Sequence, residues 1–568
     1  MGKFSELKPI DEKLDTSPLR FYVLGLFATI QFCQSIMFAF YTCIPDDIVY
    51  AYRESSVTNS DINMSVSLGS LSIIFIIPFM TFIDNYFNSA RVLMLTSCTL
   101  TLISLIFRII PHWADSQSDN VQVYMYLSSI IVNFASIFSN ALPALVSSIW
   151  FPANERVIAT GVGTEALSFG DALTYLVLPY VIPAIDSSNT VESRKKAVGW
   201  AIFFNLMLTV LVTLLTFISL PAKPKHYPSI AIREKERRDE DYFKNIYNEL
   251  YGGSEEEGQA DEEKPLMPQP VNNSDEQEPE HKKYKYTSAR QMLPTNVRVK
   301  EAWKPFLEML KFFVKPHMLL VGLLAATWYG ACGCWGVEVA ILFQSYGSYS
   351  QFGSTICCLH LILNTFGAMI SSTISQKFPR NEKNIMLFIT TLNTIFVIFF
   401  IFTFGFGDAE STICVNPDDE DDWYPIEEGG DSECGSSYKE YETFKVMINL
   451  NKYLLAALVC VHGLFAGALL PMWYDVAAQM AYPISAGTTG GYIFFTTAIG
   501  IFLVALFYSV FGDGYINLTT AVFLVITLVL LLPLKIDYKR EAVERETKAR
   551  EEEEAKKKQE SEGQTAEQ

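Results

Sequence analysis

The 568-residue sequence contains no Walker loop, no G-x-S-x-G elbow, no H-E-x-x-H pair and no dinucleotide fingerprint. ATP-driven pumping and the common hydrolytic and hydride-transfer chemistries therefore lack their machinery. The chain reads as no enzyme and as needing no cofactor. Charge is scarce: 18% of residues are Asp, Glu, Lys or Arg, against about a quarter in soluble domains. Basic residues are outnumbered, 43 against 62 acidic, for a net charge of -19, which leaves no basic face for a nucleic acid. Metal-ligand spacing is missing too. Eight of the ten cysteines (Cys33, Cys43, Cys98, Cys332, Cys334, Cys357, Cys358 and Cys460) lie in or beside apolar runs as small packing residues, and no His or Cys cluster accompanies Cys332 and Cys334. Residues 1–19 are largely polar, with Lys3, Lys8 and Lys13, and no small-residue cleavage site follows the first apolar run. That run is expected to be a retained signal anchor.

Apolar sequence is what the chain has in abundance. Half the residues are hydrophobic, 14% are aromatic, 41 are Phe, and the mean hydropathy is +0.21. Twelve apolar runs cover approximately 20–44, 62–83, 90–110, 121–149, 156–184, 197–220, 317–344, 351–376, 383–405, 446–478, 484–511 and 515–536. At about 1.5 Å per residue each can cross a bilayer. A soluble multidomain enzyme is excluded, and the reading is an all-α polytopic membrane protein. Six runs precede the polar stretch 221–316 and six follow it. This resembles the major facilitator superfamily, whose twelve transmembrane helices form two pseudo-symmetric six-helix halves. The expected organisation is an arm at 1–19, one half at 20–220, a central loop at 221–316, the second half at 317–536 and a tail at 537–568.

Basic residues orient the bundle. The N-terminal lysines, Lys377, Arg380 and Lys383, and Lys535, Lys539 and Arg540 share one side, whereas loop 406–445 on the other holds thirteen acidic residues. Positive-inside therefore makes both termini cytoplasmic, although Arg194, Lys195 and Lys196 fall on the opposite side. Within the central loop, Glu/Gly/Pro/Gln-rich 252–285 is expected to be unstructured. Residues 300–314 place Trp303, Phe306, Leu310 and Phe313 on one face, the pattern of an interfacial helix. The tail pairs Glu541 with Arg545, Glu544 with Lys548 and Glu554 with Lys558, so a solvated, charge-laced helix is expected.

Ionisable residues inside spans are costly and point to function. Four acids qualify: Glu165, Asp171, Glu338 and Asp475, with His360, His462 and Arg108 beside them. Glu165 and Asp171 are six residues apart, about 240° around a helix, so they cannot share a face. Cation binding or gating is the expected role of these acids. Aromatics concentrate on the first and seventh spans (Phe38, Phe40, Tyr41; Trp328, Tyr329, Trp335). Facing a cavity, such rings hold a quaternary ammonium by cation–π attraction; facing each other, they are ordinary packing.

Three motifs carry a resemblance to a family. Trp150-Phe-Pro-Ala-Asn-Glu155 with its small-residue run to Gly170, Gly463-Leu-Phe-Ala-Gly467 through Pro471-Met-Trp-Tyr-Asp475 to Tyr482-Pro483 and Gly487-Thr-Thr-Gly-Gly491, and Thr327-Trp-Tyr-Gly330 resemble the feline leukaemia virus subgroup C receptor-related transporters. Members move choline and ethanolamine, haem export has been attributed to some, and a lysosomal relative handles pyridoxine. The resemblance places that family's cation-contacting Trp, Tyr and Gln at Phe38, Tyr329 and Ser168, and its two tenth-span carboxylates at Asp475 and Gln479. The superfamily's motif between the second and third spans survives as Asp84 and Arg91.

The functional expectation is a monomeric carrier of a small organic solute, choline-like or ethanolamine-like, working by alternating access. Haem or vitamin transport and a non-transporting sensor are the alternatives. Phe38, Ser168, Tyr329, Trp328 and Gln34 are the expected solute contacts, with Glu165, Asp475 and Glu338 as polar or gating partners. The plasma membrane is the expected address, with Glu262-Glu-Lys-Pro-Leu266-Met267 leaving an endolysosomal one open. Cys414 and Cys434 stand in the acidic loop, twenty positions apart, where an oxidising compartment favours a disulfide.

Overall fold

The structure, a computed structural model, describes residues 16–87, 89–113, 120–185, 190–221, 224, 226–251, 293–343, 351–405, 407, 411–416, 419–425, 439–443, 446–511, 513–550 and 553. The six long helices of the N-terminal half are α1 (Leu19–Cys43), α2 (Asn59–Phe87), α3 (Ala90–Trp113), α4 (Val121–Trp150), α5 (Arg156–Ile185) and α6 (Val191–Ser219), with a short helix at Pro45–Ala51. Two extramembrane helices follow, α7 (Ile230–Tyr251) and α8 (Thr295–Phe313). The C-terminal half comprises α9 (Pro316–Val337), α10 (Gln351–Lys377), α11 (Glu382–Phe404), α12 (Lys452–Ala466), α13 (Leu470–Ala481), α14 (Ala486–Phe511) and α15 (Ile516–Leu531). The tenth apolar run is thus two helices, α12 and α13, broken after Gly467 where Pro471 opens the second. Among the described residues, ten segments are long and apolar enough to span a membrane. The other two runs are α2, apolar over Phe75–Phe87, and the sixteen-residue α15.

Helical form follows from the solvent. Hydrocarbon offers no partners to backbone N–H and C=O groups, so each apolar run must satisfy its own. The side chains exposed on the bundle are correspondingly large and apolar, among them Phe75, Phe204, Ile218, Phe388 and Val510. A patch of this extent would aggregate in water and is at home in lipid.

Packing repeats between the halves with an offset of six spans. The α1–α5, α2–α4 and α3–α6 contacts recur as α9–α14, α10–α12 and α11–α15. Across the divide α5 runs along α10, and α2 and α4 run along α14. The α2–α14 and α5–α10 contacts exchange under the same offset, as a two-fold relation requires. The α9–α14 crossing is close enough that a Cβ on Gly500 would overlap the Ala326 carbonyl oxygen, and one on Gly330 would press on Gly500. Gly500→Leu is expected to push these helices apart at a cost of at least about 3 kcal/mol, the upper range for overpacking. The observable is a drop in the thermal unfolding midpoint of the detergent-solubilised protein, and an unchanged midpoint would contradict the crossing.

Outside the membrane the structure adds detail that the sequence pattern did not carry. The acidic loop holds a three-stranded antiparallel sheet, ordered β2-β1-β3, of β1 (Ser411–Asn416), β2 (Asp419–Pro425) and β3 (Lys439–Thr443). Cys414 pairs across to Tyr424 and Glu440 in the central strand; Cys434 lies outside the described residues, as do residues 252–285. Helix α8 begins before the expected 300 and packs on α2, with Trp303 stacked on Phe82 at 5.0 Å. The tail is helical over 539–550, and its first turn is docked instead of solvated: Arg540 is 4% exposed, and Arg380 reaches Glu541 at 3.4 Å. The basic residues on the acidic side are neutralised locally, Arg194 by Asp47 and Lys196 by Glu192.

Candidate functional site

Helix α5 of one half packs against α10 of the other, and Glu165 sits about a third of the way along it. The carboxylate is 2% exposed and its Oε2 has no hydrogen-bond partner. Ser168 and Thr164 are its hydroxyl neighbours on the same helix. Tyr329 of α9 and Tyr474 of α13 lie within electrostatic reach from the opposite half. Asp171 also has an unpartnered oxygen, Oδ1, and also reaches Tyr329. Its other neighbours are Cys43 of α1 and Cys357 of α10, a different direction from that of Glu165. Glu165 thus lies within electrostatic reach of two phenol rings of the other half and Asp171 of one, and neither acid has an ion pair among the described residues.

The remaining expected contacts fall elsewhere. Trp328 points into the core of the C-terminal half, fully buried, with its indole Nε1 unpartnered. Phe38 is half-buried against the apolar cluster that joins α1, α5, α9 and α10. Gln34 is removed from the solute-facing set. Its Nε2 donates to Ser97 Oγ at 2.7 Å and Thr101 Oγ1 at 2.9 Å, and its Oε1 accepts from Ser139, all inside the N-terminal half. Phe40 and Tyr41 serve a protein cation. Arg108, buried, holds its guanidinium 4.1 Å from the Tyr41 ring and donates to the Met37 carbonyl at 2.7 Å. Glu338 follows the last turn of α9, its N–H bonded to the Cys334 and Trp335 carbonyls.

A second polar cluster lies inside the C-terminal half. His360 Nε2 and His462 Nδ1 are 3.2 Å apart, and their rings stack at 5.4 Å. Trp335 packs edge-on to both and donates its indole N–H to Asn517 at 2.7 Å. Two nitrogens are too few for a metal, and no group of three or more candidate ligands occurs among the described residues.

The face bearing the central loop and the tail is latched between halves. Asp84, near the end of α2, accepts from Ser485 Oγ at 2.7 Å and Thr488 Oγ1 at 3.1 Å. These residues begin α14, whose N-terminal amides carry partial positive charge. Gly487 makes the approach possible, because a Cβ there would sit 2.9 Å from Asp84 Oδ2. Arg91 does not join this latch; it caps α6 by donating to the Phe217 carbonyl at 2.7 Å. Asp475 belongs to the same face, within reach of Arg156, Arg540, Glu382 and Glu544.

A family model for the major facilitator superfamily matches residues 23–415. The chain belongs to that superfamily. Solved major facilitators share its fold: a proton:xylose symporter, XylE, bound to 6-bromo-6-deoxy-D-glucose superposes with a TM-score of 0.56 at 11% identity, covering 92% of this chain and 99% of that one. The transporter FucP in its outward conformation gives 0.53 at 11%, covering 90% and 98%. Among curated proteins, a solute carrier family 49 member 4 homolog of Xenopus laevis is 26% identical over 37% of this chain and 46% of its own length. The choline/ethanolamine transporter FLVCR2 of Homo sapiens is 22% identical over 38% and 39%. The chain thus spans less than half the length of the curated relatives it matches. These names fall in the group that the fifth-, seventh- and tenth-span motifs resemble.

In this major facilitator the residues that sequence reasoning missed are Tyr474 and Arg540. Tyr474 was visible as the Tyr of Pro471-Met-Trp-Tyr-Asp475, one residue from the acid that drew notice. Arg540 was read only as one of the basic residues that orient the bundle, since a tail arginine among glutamates gives no sign of burial.

Proposed function

We propose that this chain carries a small organic cation, choline-like or ethanolamine-like, across a membrane by alternating access of its two halves. The observation that carries the reading is that Glu165, with an unpartnered oxygen, lies within electrostatic reach of Tyr329 and Tyr474 across the divide, and Asp171 of Tyr329. Buried carboxylate oxygens without partners attract a positive ligand, and phenol rings add cation–π attraction of about 2 kcal/mol when desolvated. An anion or a neutral sugar would gain neither. The relatives named as choline/ethanolamine transporters support the same substrate class. We take the working unit as a monomer with cytoplasmic termini in the plasma membrane, acting as a carrier and not as an enzyme.

Uptake of labelled choline and ethanolamine by cells expressing the chain, repeated in proteoliposomes of the purified protein, tests the reading. Saturable uptake of either amine is expected. Binding without movement of label would make the protein a sensor, and uptake of labelled haem or pyridoxine alone would shift the substrate class.

The proposed topology sets the loop 406–445 outside, and with it a Cys414–Cys434 disulfide. Closing about twenty residues removes roughly 3 kcal/mol of unfolded-state entropy. A membrane-impermeant maleimide applied to intact cells is expected to label these cysteines only after mild reduction. Labelling of both without reductant refutes the bond, and no labelling under either condition refutes the topology.

A further inference from the structure

Helix α8 turns an apolar band away from the bundle. Leu307 is 59% exposed and Leu310 is 46% exposed, with Val299 earlier on the helix and Val314 just past its end also open. At roughly 100° per residue, Val299, Leu310, Trp303 and Leu307 fall within about 80° of one another and form one strip along the helix. The neighbouring flank faces the bundle: Ala302 is buried, and Phe313 stacks on Tyr492 of α14 at 3.9 Å.

Trp303, within the strip, fixes its direction. Its ring meets Phe82 of α2 at 5.0 Å and Phe79 at 6.3 Å. Phe79 lies about one turn deeper in the membrane than Phe82 and is itself 54% exposed, on the lipid-facing surface of α2. Arg298, nearer the start of α8, sits 4.7 Å over Tyr86 at the loop-bearing end of α2. The apolar strip therefore continues the lipid-facing surface of the bundle and rests against the bilayer.

Charge is laid out to match. Helix α8 has four basic residues (Arg298, Lys300, Lys304 and Lys311) against two acidic ones, in a chain of net charge -19. Lys300, Lys311 and Lys304 occupy the next 40° or so beyond the strip, on the flank away from the bundle, and all three are exposed. Lys304 also donates to Tyr242 of α7 at 2.8 Å and lies 3.9 Å from Glu301. Lys300 and Lys311 are therefore the two whose charge is offered most directly to the membrane. A lysine stripe beside a membrane-buried strip stands at headgroup depth, with its stems on the apolar surface and its ammonium groups among lipid oxygens.

We propose that α8 is a binding surface for anionic phospholipids of the adjoining leaflet, in which the Leu307 and Leu310 strip enters the acyl region and Lys300 and Lys311 recruit negatively charged headgroups in preference to zwitterionic ones. Contacts with α2 through Trp303 and with α14 through Phe313 hold the helix in place, so the stripe is formed before a lipid arrives.

The test puts a fluorophore on Leu307→Cys in the full-length chain, freed of native thiols, in phosphatidylcholine nanodiscs. Nitroxide-labelled phosphatidylserine or phosphatidylcholine is added at equal mole fraction, and the quenching is compared. Phosphatidylserine is expected to quench at least about threefold more steeply at low ionic strength. The preference should shrink at about 0.5 M salt. K300Q/K311Q should bring the two lipids together, whereas K300R/K311R, which keeps the charge, should preserve the difference. Both positions are exposed, so these substitutions leave the core intact. The same fluorophore on Phe388→Cys, at a position 64% exposed on α11, should show no such preference. Equal quenching by the two lipids in the parent, a preference that K300Q/K311Q retains, or one that the Phe388 position shares overturns the site. Absence of quenching by either lipid overturns the placement of α8 on the bilayer.

Discussion

Replacing Tyr329 by alanine is expected to raise the choline concentration for half-maximal uptake about thirtyfold. One desolvated cation–π contact is worth about 2 kcal/mol, and each 1.4 kcal/mol is roughly a factor of ten in affinity. The ring is half-buried on α9, within electrostatic reach of Glu165 and Asp171. Its removal deletes a wall of the proposed site, at the edge of the C-terminal half's core and not at its centre. Phe38→Trp should bind choline as well as the parent or better, because indole has the stronger π field. Glu165→Gln provides the electrostatic counterpart, since it keeps the side chain's shape and removes its charge. If Tyr329→Ala transports choline with the parent's apparent affinity, the aromatic contact is wrong. If Glu165→Gln does so too, the whole constellation is unrelated to the solute.

Asp84→Ala is expected to unlatch the loop-bearing face. Each hydrogen bond to a charged group contributes about 1.5–3 kcal/mol, and this carboxylate accepts two, from Ser485 and Thr488 of the opposite half. Losing even one bond's worth shifts the balance between closed and open states by roughly tenfold to a hundredfold. The measurement is the rate of maleimide labelling of a cysteine placed at Ser148, which is 2% exposed on α4, in a background freed of native thiols. A rate at least tenfold above that of the parent background is expected. Asp84→Asn, which keeps two acceptor lone pairs but no charge, should fall between the two. Equal labelling rates in folded Asp84→Ala and parent would mean that the latch does not govern this face.

Several features of the candidate site were legible in the amino-acid order because they depend on one helix at a time. The 240° between Glu165 and Asp171 follows from helix geometry alone, and their different neighbours in the bundle accord with it. Features shared between helices were not legible. Gln34 looks like a solute ligand until Ser97, Thr101 and Ser139 arrive from α3 and α4 to consume its amide. Tyr41 looks like part of a cation cage until Arg108 occupies its face.

The apolar runs, their grouping into six and six and the polar stretch between them settled the superfamily fold before any packing was considered. Each run must close its own backbone hydrogen bonds in hydrocarbon, and that demand is written locally. Which polar groups remain without partners was decided only in three dimensions. Glu165 is left open because α9 and α13 bring phenol rings to it and no cation. Arg540 is buried because a tail that could have stayed in water is tied to the bundle, Glu544 by Arg156, Glu541 by Arg380 and Tyr538 by Glu382. Pairing is a property of neighbours from distant parts of the chain, and no local pattern encodes it.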